Sequence, residues 1–303
     1  MAFIGIDVGG TKINAGLFSK SGELISFHNR QTNLHDVMDQ LVSITSEIIL
    51  EAQSDICAIG VATAGKVDVQ KGVITDATPN LPNWTGTHVK GIMEDRFSIP
   101  AVVDNDANMA AYAEGAFGAA KGFTNYVCVT LGTGVGAGVV VNGQLVTGSR
   151  GGCGEVGHMI LYPGGYPCNC GLHGCFEQYV SGTALMASIS RNIKLSKNKL
   201  TPKDLFSVTW AEDEAVNQIK ERFYHDLVFG LQNIQAVIDP ELIVIGGGVV
   251  DSSENWWNDF LKVLDRANNI HFQIKKAELK NHAGMLGAAA LAGKHIESRN
   301  SSL

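Results

Sequence analysis

Two stretches of the chain repeat one pattern of apolar and polar positions. Residues 4–18 (IGIDVGGTKINAGLF) and 127–141 (VCVTLGTGVGAGVVV) each run from an apolar segment through a glycine-rich break into a second apolar segment. Each is followed by a polar turn and a further short run, Ser21-Gly22-Glu23-Leu24-Ile25 and Asn142-Gly143-Gln144-Leu145-Val146. Short apolar runs separated by tight breaks are strands in hairpins, so the spacing predicts an antiparallel β-meander occurring twice. Such an echo predicts two domains of the same internal build.

Between the meanders the period changes. Residues 36–53 carry apolar positions at 3–4 spacing after an Asn33/Asp36 start, which predicts an amphipathic helix. Ala58–Ala62 and Ala101–Val103 are short runs bounded by Gly, Pro or Asp, as buried strands are, and the Ala-rich residues 107–118 are helical. The segment 212–238 reads as one or two long helices ending at Asp239-Pro240, followed by a strand from Leu242 into Gly246-Gly247-Gly248. A last helix is expected over Ala283–His295, with a disordered polar tail at 296–303. The class is α/β, with a domain boundary near the Asp104–Asp106 turn.

Composition narrows the partners. The 303 residues are 45% hydrophobic and 17% charged with a net charge of −7, enough for full cores in one large or two medium domains. No Lys/Arg block occurs, which argues against a nucleic-acid or anionic-membrane partner. No apolar run approaches the roughly 18 residues of a membrane span. Met1 leads straight into strand pattern with no basic leader, so the cytoplasm is the expected compartment. There, clustered cysteines are read as metal ligands rather than disulfides.

That cluster is His158-x9-Cys168-x-Cys170-x4-Cys175, flanked by Glu155 and Glu177. Three thiols and an imidazole can close a tetrahedral zinc site, and four protein ligands leave no open position for catalysis at the metal. Cys57, Cys128 and Cys153 are expected to be small buried apolar residues. The glycine turns Gly9-Gly10-Thr11-Lys12 and Gly132-Thr133-Gly134-Val135-Gly136 could each be a plain hairpin. As a matched pair, each with a threonine, they favour anion nests that cradle phosphate. No Walker-type loop occurs. Gly132-x-Gly134-x-x-Ala137 imitates a dinucleotide fingerprint but runs into strand rather than helix. Finally, Asp104-Asn105-Asp106-Ala107-Asn108 follows an apolar strand and opens a helix, where open α/β folds place ligands. A carboxylate there can deprotonate an attacking alcohol, or it can cap the helix.

Taken together these motifs resemble the ROK sugar kinases of the actin-like hexokinase superfamily, over nearly the whole chain. Ile6-Asp7-Val8-Gly9-Gly10-Thr11-Lys12 is similar to that family's first phosphate motif and Leu131–Gly136 to its second. Residues 246–248 are similar to its adenosine-side glycines, and Glu155–His158 with the cysteines and Glu177-Gln178-Tyr179 to its zinc-bearing signature. The resemblance implies two ribonuclease-H-like domains flanking a cleft. The small one would comprise 1–105 and a C-terminal helix, 285–303, with the first phosphate loop. The large one, 106–284, would carry the zinc motif, second phosphate loop and adenosine site. It implies an ATP-dependent hexose kinase with Mg²⁺ and a structural Zn²⁺ on His158, Cys168, Cys170 and Cys175, cytoplasmic and homo-oligomeric. Asp106 aligns with the catalytic base; Asn80, Asn105, Glu155, His158 and Glu177 with sugar contacts. Asp7, Gly9, Gly10, Thr11, Lys12, Gly132, Thr133, Gly134, Gly247 and Gly248 align with the nucleotide side. Trp84 matches the sugar loop less specifically. Ala64 stands where many members have proline, which leaves N-acetylmannosamine or N-acetylglucosamine open beside glucose. Transcriptional repressors of the same family supply the non-catalytic alternative.

Overall fold

A computed structural model describes residues 1–77 and 80–300. In chain order it contains β1 (Ala2–Val8), β2 (Lys12–Ser19), β3 (Leu24–Gln31), α1 (Val37–Glu51), β4 (Ile56–Thr63), β5 (Lys66–Asp68), β6 (Val73–Asp76), α2 (Val89–Phe97), β7 (Ala101–Asn105) and α3 (Asp106–Phe117). There follow β8 (Tyr126–Leu131), β9 (Val135–Val141), β10 (Gln144–Leu145), α4 (Glu177–Val180), α5 (Gly182–Arg191), α6 (Ile193–Lys197), α7 (Glu214–Ile238), β11 (Leu242–Gly246), α8 (Trp257–Arg266), β12 (Gln273–Lys276) and α9 (Ala283–Asn300).

The predicted echo is present in the strand order. One five-stranded sheet runs β3-β2-β1-β4-β7, the other β10-β9-β8-β11-β12. Each is an antiparallel meander followed by parallel additions. Two compact units result, one of residues 1–122 and 138–154 with the C-terminal segment from Asn281, the other of 123–137 and 155–280. Strand β9 passes from one unit into the other at Gly138.

In the first unit β1 and β4 are buried almost throughout, because both faces of the sheet are covered. On one face Leu41, Ile44 and Ile48 of α1 share a core with Ile4, Ile6 and Ile59. On the other α9 lies so close that a side chain at Gly60 would run into the backbone of Ala288. Met109 of α3 joins Ala62 and Ala288 in that layer. Burial there needs small residues, which is why the pattern of α9 is Gly- and Ala-rich rather than amphipathic.

The registers matter for the site. Asp7 pairs with Ala62, Val8 with Thr63 and Thr63 with Asn105, so the C-terminal ends of β1, β4 and β7 finish level. In the second sheet Thr130 lies beside Gly246, bringing Gly132 and Gly247 to one end.

Three expectations change. Helix α9 continues through residues 296–300, which the sequence reading left as disordered tail; residues 301–303 lie outside the described residues, as does Pro79 of the sugar loop. Cys57 and Cys153 are only half-buried, and Cys128 alone of the three is core. Cys57 is the second residue of β4, where that strand is still half-exposed, and Cys153 lies in the loop after β10.

Candidate active site

In the first unit the polar run after β7 divides its labour. Asp104 is buried, its carboxylate accepting from the Asn105 backbone N–H at 2.7 Å and the Asn108 amide at 2.9 Å. Asn105 is the helix cap. Its Oδ1 accepts from the N–H groups of Ala107 and Asn108 at 2.9 and 3.3 Å, and its Nδ2 donates to the Gly65 carbonyl at 2.9 Å. Asp106, the first residue of α3, is exposed, and one carboxylate oxygen accepts from the Ala107 N–H at 2.8 Å. Three of the four polar side chains therefore build the turn. Asp106 presents a carboxylate to solvent.

Asp7 stands near it. Burial, followed by the negative charge of Asp106, pushes the Asp7 carboxyl up to about 7, against the pull of Lys12 and a hydrogen bond from Asn14. Asn14 lies directly across the β1–β2 ladder from Asp7 and is itself buried, held by Asn29 at 2.6 Å. The first turn of α9 also closes on this acid: a Cβ at Gly284 would lie 2.9 Å from the Asp7 carboxyl carbon. The glycine loop at 9–12 is a tight turn, Gly9 N–H donating to the Lys12 carbonyl at 3.0 Å. Thr32 fixes it from β3's far end, taking the carbonyls of Gly9 and Thr11 at 2.7 and 2.9 Å. Asn80 packs against Gly10. Trp84 is core, its indole N–H donating to Thr63 at 2.9 Å.

In the second unit the other glycine loop is closed by Gly132 N–H donating to the Gly134 carbonyl at 2.9 Å. It is hooked from outside at three points. The Glu177 carboxylate accepts from the Val135 N–H at 2.8 Å, Gly182 N–H donates to the Gly132 carbonyl at 2.8 Å, and the Thr183 hydroxyl donates to the Thr133 carbonyl at 2.7 Å. A Cβ at Gly134 would push the Glu177 carboxylate out of this position. Gly247, at φ +91°, lies against the Leu131 backbone beside this loop.

Glu177 opens α4 two residues after Cys175, which leads to the cluster. His158, Cys168, Cys170 and Cys175 bring their ligand atoms within 4.8 Å of one another. His158 Nδ1 lies 3.6 Å from Cys168 Sγ, and Cys170 Sγ 3.5 Å from Cys175 Sγ. Ligand atoms around a tetrahedral zinc are about 3.5–3.8 Å apart, whereas a disulfide is near 2 Å, so the set fits a metal. The other ring nitrogen, Nε2, faces Glu155 at 3.7 Å. Asn14, Thr32 and Thr183 were invisible at the sequence level: a strand residue, a residue just past a strand and a helix residue, each with a role that depends on a partner across the fold.

The ROK family model matches residues 3–295. A glucokinase from Halalkalibacterium halodurans is 32% identical over 98% of this chain and 96% of its own length. A xylose repressor from Bacillus subtilis is 28% identical over 97% of this chain but 77% of its own length. Among solved structures, a ROK hexokinase from Thermus thermophilus has a TM-score of 0.86 at 33% identity, over 98% of this chain and all of that one. A ROK glucokinase from Streptomyces griseus in complex with glucose and AMPPNP has a TM-score of 0.82 at 30% identity, over 97% of this chain and 100% of its own.

Proposed function

The chain belongs to the ROK family and is a sugar kinase, and we propose that it transfers the γ-phosphoryl group of ATP to the 6-hydroxyl of glucose. The observation that carries this is the exposed Asp106 carboxylate at the end of β7, beside an Asp7 that its charge helps hold near 7. Phosphoryl transfer through a loose transition state asks the protein mainly to position groups and balance charge. The sugar oxygen forms its bond to the γ-phosphorus as the bond to the β–γ bridging oxygen breaks, and Asp106 takes the hydroxyl proton. Asn80, Asn105, Glu155, His158 and Glu177 orient the sugar through its hydroxyls. Leaving one buried partner unpaired costs about 1–3 kcal/mol, enough to reject an epimer.

Gly9, Gly10, Thr11 and Lys12 serve one side of the phosphates, Gly132, Thr133 and Gly134 the other, with Gly247 and Gly248 toward adenosine. Asp7 would hold the nucleotide's magnesium, which supplies positive charge to the phosphates. Zinc on His158, Cys168, Cys170 and Cys175 would be structural, a cross-link that fixes the residues beside it. A phosphorylation reaction fed by ATP fits the cytoplasm. Among the described residues, no helix is long and apolar enough to cross a membrane.

The test is ADP release with Mg-ATP across glucose, mannose, fructose, N-acetylglucosamine and N-acetylmannosamine. Glucose is expected to give the highest kcat/KM. A preference for N-acetylmannosamine would move the specificity to the alternative that Ala64 raises. Background rates on every sugar would leave a sensing role like that of the repressors.

A further inference from the structure

The second unit holds a cavity of about 290 Å³ that none of the residues assigned above explains. Its walls come from α4, α5, α7 and the loop before Cys168. Asp226, in the middle of α7, lines it and is 1% exposed. Its Oδ1 accepts from the Tyr162 hydroxyl, whereas Oδ2 has no hydrogen bond and meets its cation, Arg222 Nε, only at 3.5 Å. A buried carboxylate left half-satisfied is costly, and one set into a cavity wall has capacity for a donor from outside. Two guanidiniums line the same space. Arg191 lies 4.2 Å over the Tyr166 ring with one N–H on Ser188 at 3.0 Å, and the exposed Arg222 lies 5.8 Å from the Tyr179 ring.

Size and chemistry limit the occupant. Ligand pockets run from roughly 300 to 1,000 Å³, so this one sits at the small end, with room for a single substituted ring. Tyrosine faces and a buried carboxylate suit a hydroxylated ring, while paired guanidinium forks suit a phosphate. We propose that the cavity formed by Asp226, Arg191 and Arg222 binds a hexose phosphate, a ring hydroxyl donating to Asp226 and the phosphate accepting from the two arginines. The site is argued from its own walls and does not depend on which sugar the enzyme phosphorylates.

Calorimetric titration of the metal-loaded full chain with glucose 6-phosphate tests it. Arg191→Ala and Arg191→Lys are the comparison variants, since Arg191 is exposed and lies outside the catalytic assignment. Product bound at the catalytic centre contributes equally in all three proteins, so only the cavity responds to the change. The wild type is expected to bind saturably, Arg191→Ala about tenfold or more weakly, and Arg191→Lys in between, with kcat and KM unchanged. Absence of saturable binding in the wild type, or an equal affinity in Arg191→Ala, overturns the site. Glucose and inorganic phosphate are titrated as competitors. Glucose displaces ester from the catalytic centre in all three proteins alike, so the readout is the Arg191-sensitive part of the binding. Neither competitor alone should abolish it at tenfold excess, and its loss to either one overturns the hexose-phosphate assignment.

Discussion

Asp7 is held where its charge is least welcome. Its carboxyl is raised from 3.8 to about 7, first by burial and then by Asp106. In the unfolded chain it ionises near its ordinary value, so between about pH 4 and pH 7 the unfolded state gives up the proton that the folded state keeps. The fold is penalised progressively across that window, and the full penalty stands above it. Asp7→Asn should therefore raise Tm at pH 8 and leave it unchanged at pH 4, while removing activity. Thermal melts at both pH values check this, and an equal shift at the two would refute it. Asp106→Ala should lower kcat by about 10²–10⁴-fold, the usual worth of a positioned base. Sugar affinity by titration should change little, and a near-normal rate would remove Asp106 from its role. The same substitution withdraws a charge from Asp7 and lowers its folded-state value, so the Asp7 penalty should be smaller and should level off at a lower pH.

At the level of elements, the decisive connection is between the metal loop and the second phosphate turn. Helices α4 and α5 begin with the residues that hold that turn, so on the proposed assignment the cysteine cluster would fix the ATP side as well as the sugar side. Thr183→Val removes one of the three hooks. It should raise KM for ATP about 2–10-fold, the value of one modest hydrogen bond, with sugar affinity unchanged. A rise in sugar KM alone would contradict the connection. The sequence could not reveal this, because the partners are 42 and 50 residues apart and all three hooks end on backbone atoms of the turn. What the sequence did display were elements with a strong period: both meanders, α1, α3 and α7. The short α2, α4 and α6, and the polar edge strand β12, carry too few apolar positions to show one. Asp106 was legible by residue type and place. The capping by Asn105 was weighed there too, but only coordinates assign it to Asn105.

For the molecule as a whole, the shared strand order of the two sheets accounts for the sequence echo, and the metal is expected as a local clasp on that frame. Elemental analysis should find about one zinc per chain, bound through four protein ligands. Stripping it with a strong chelator should abolish activity while far-UV circular dichroism keeps the sheet signal. A metal-free, fully active protein would refute the assignment. Loss of all secondary structure would show instead that the clasp holds the fold.

Helix α9 covers one face of β1 and β4, yet its first residue, Ala283, is made long after β4 ends at Thr63. On the ribosome, the first sheet therefore waits with that face bare through the synthesis of nearly the entire remaining polypeptide. The small residues that let α9 seat so closely leave little for a substitute helix to grip. A nonsense mutation ahead of Ala283 should thus yield an aggregating chain rather than a shortened enzyme, and the nascent protein should lean on chaperones until α9 has emerged.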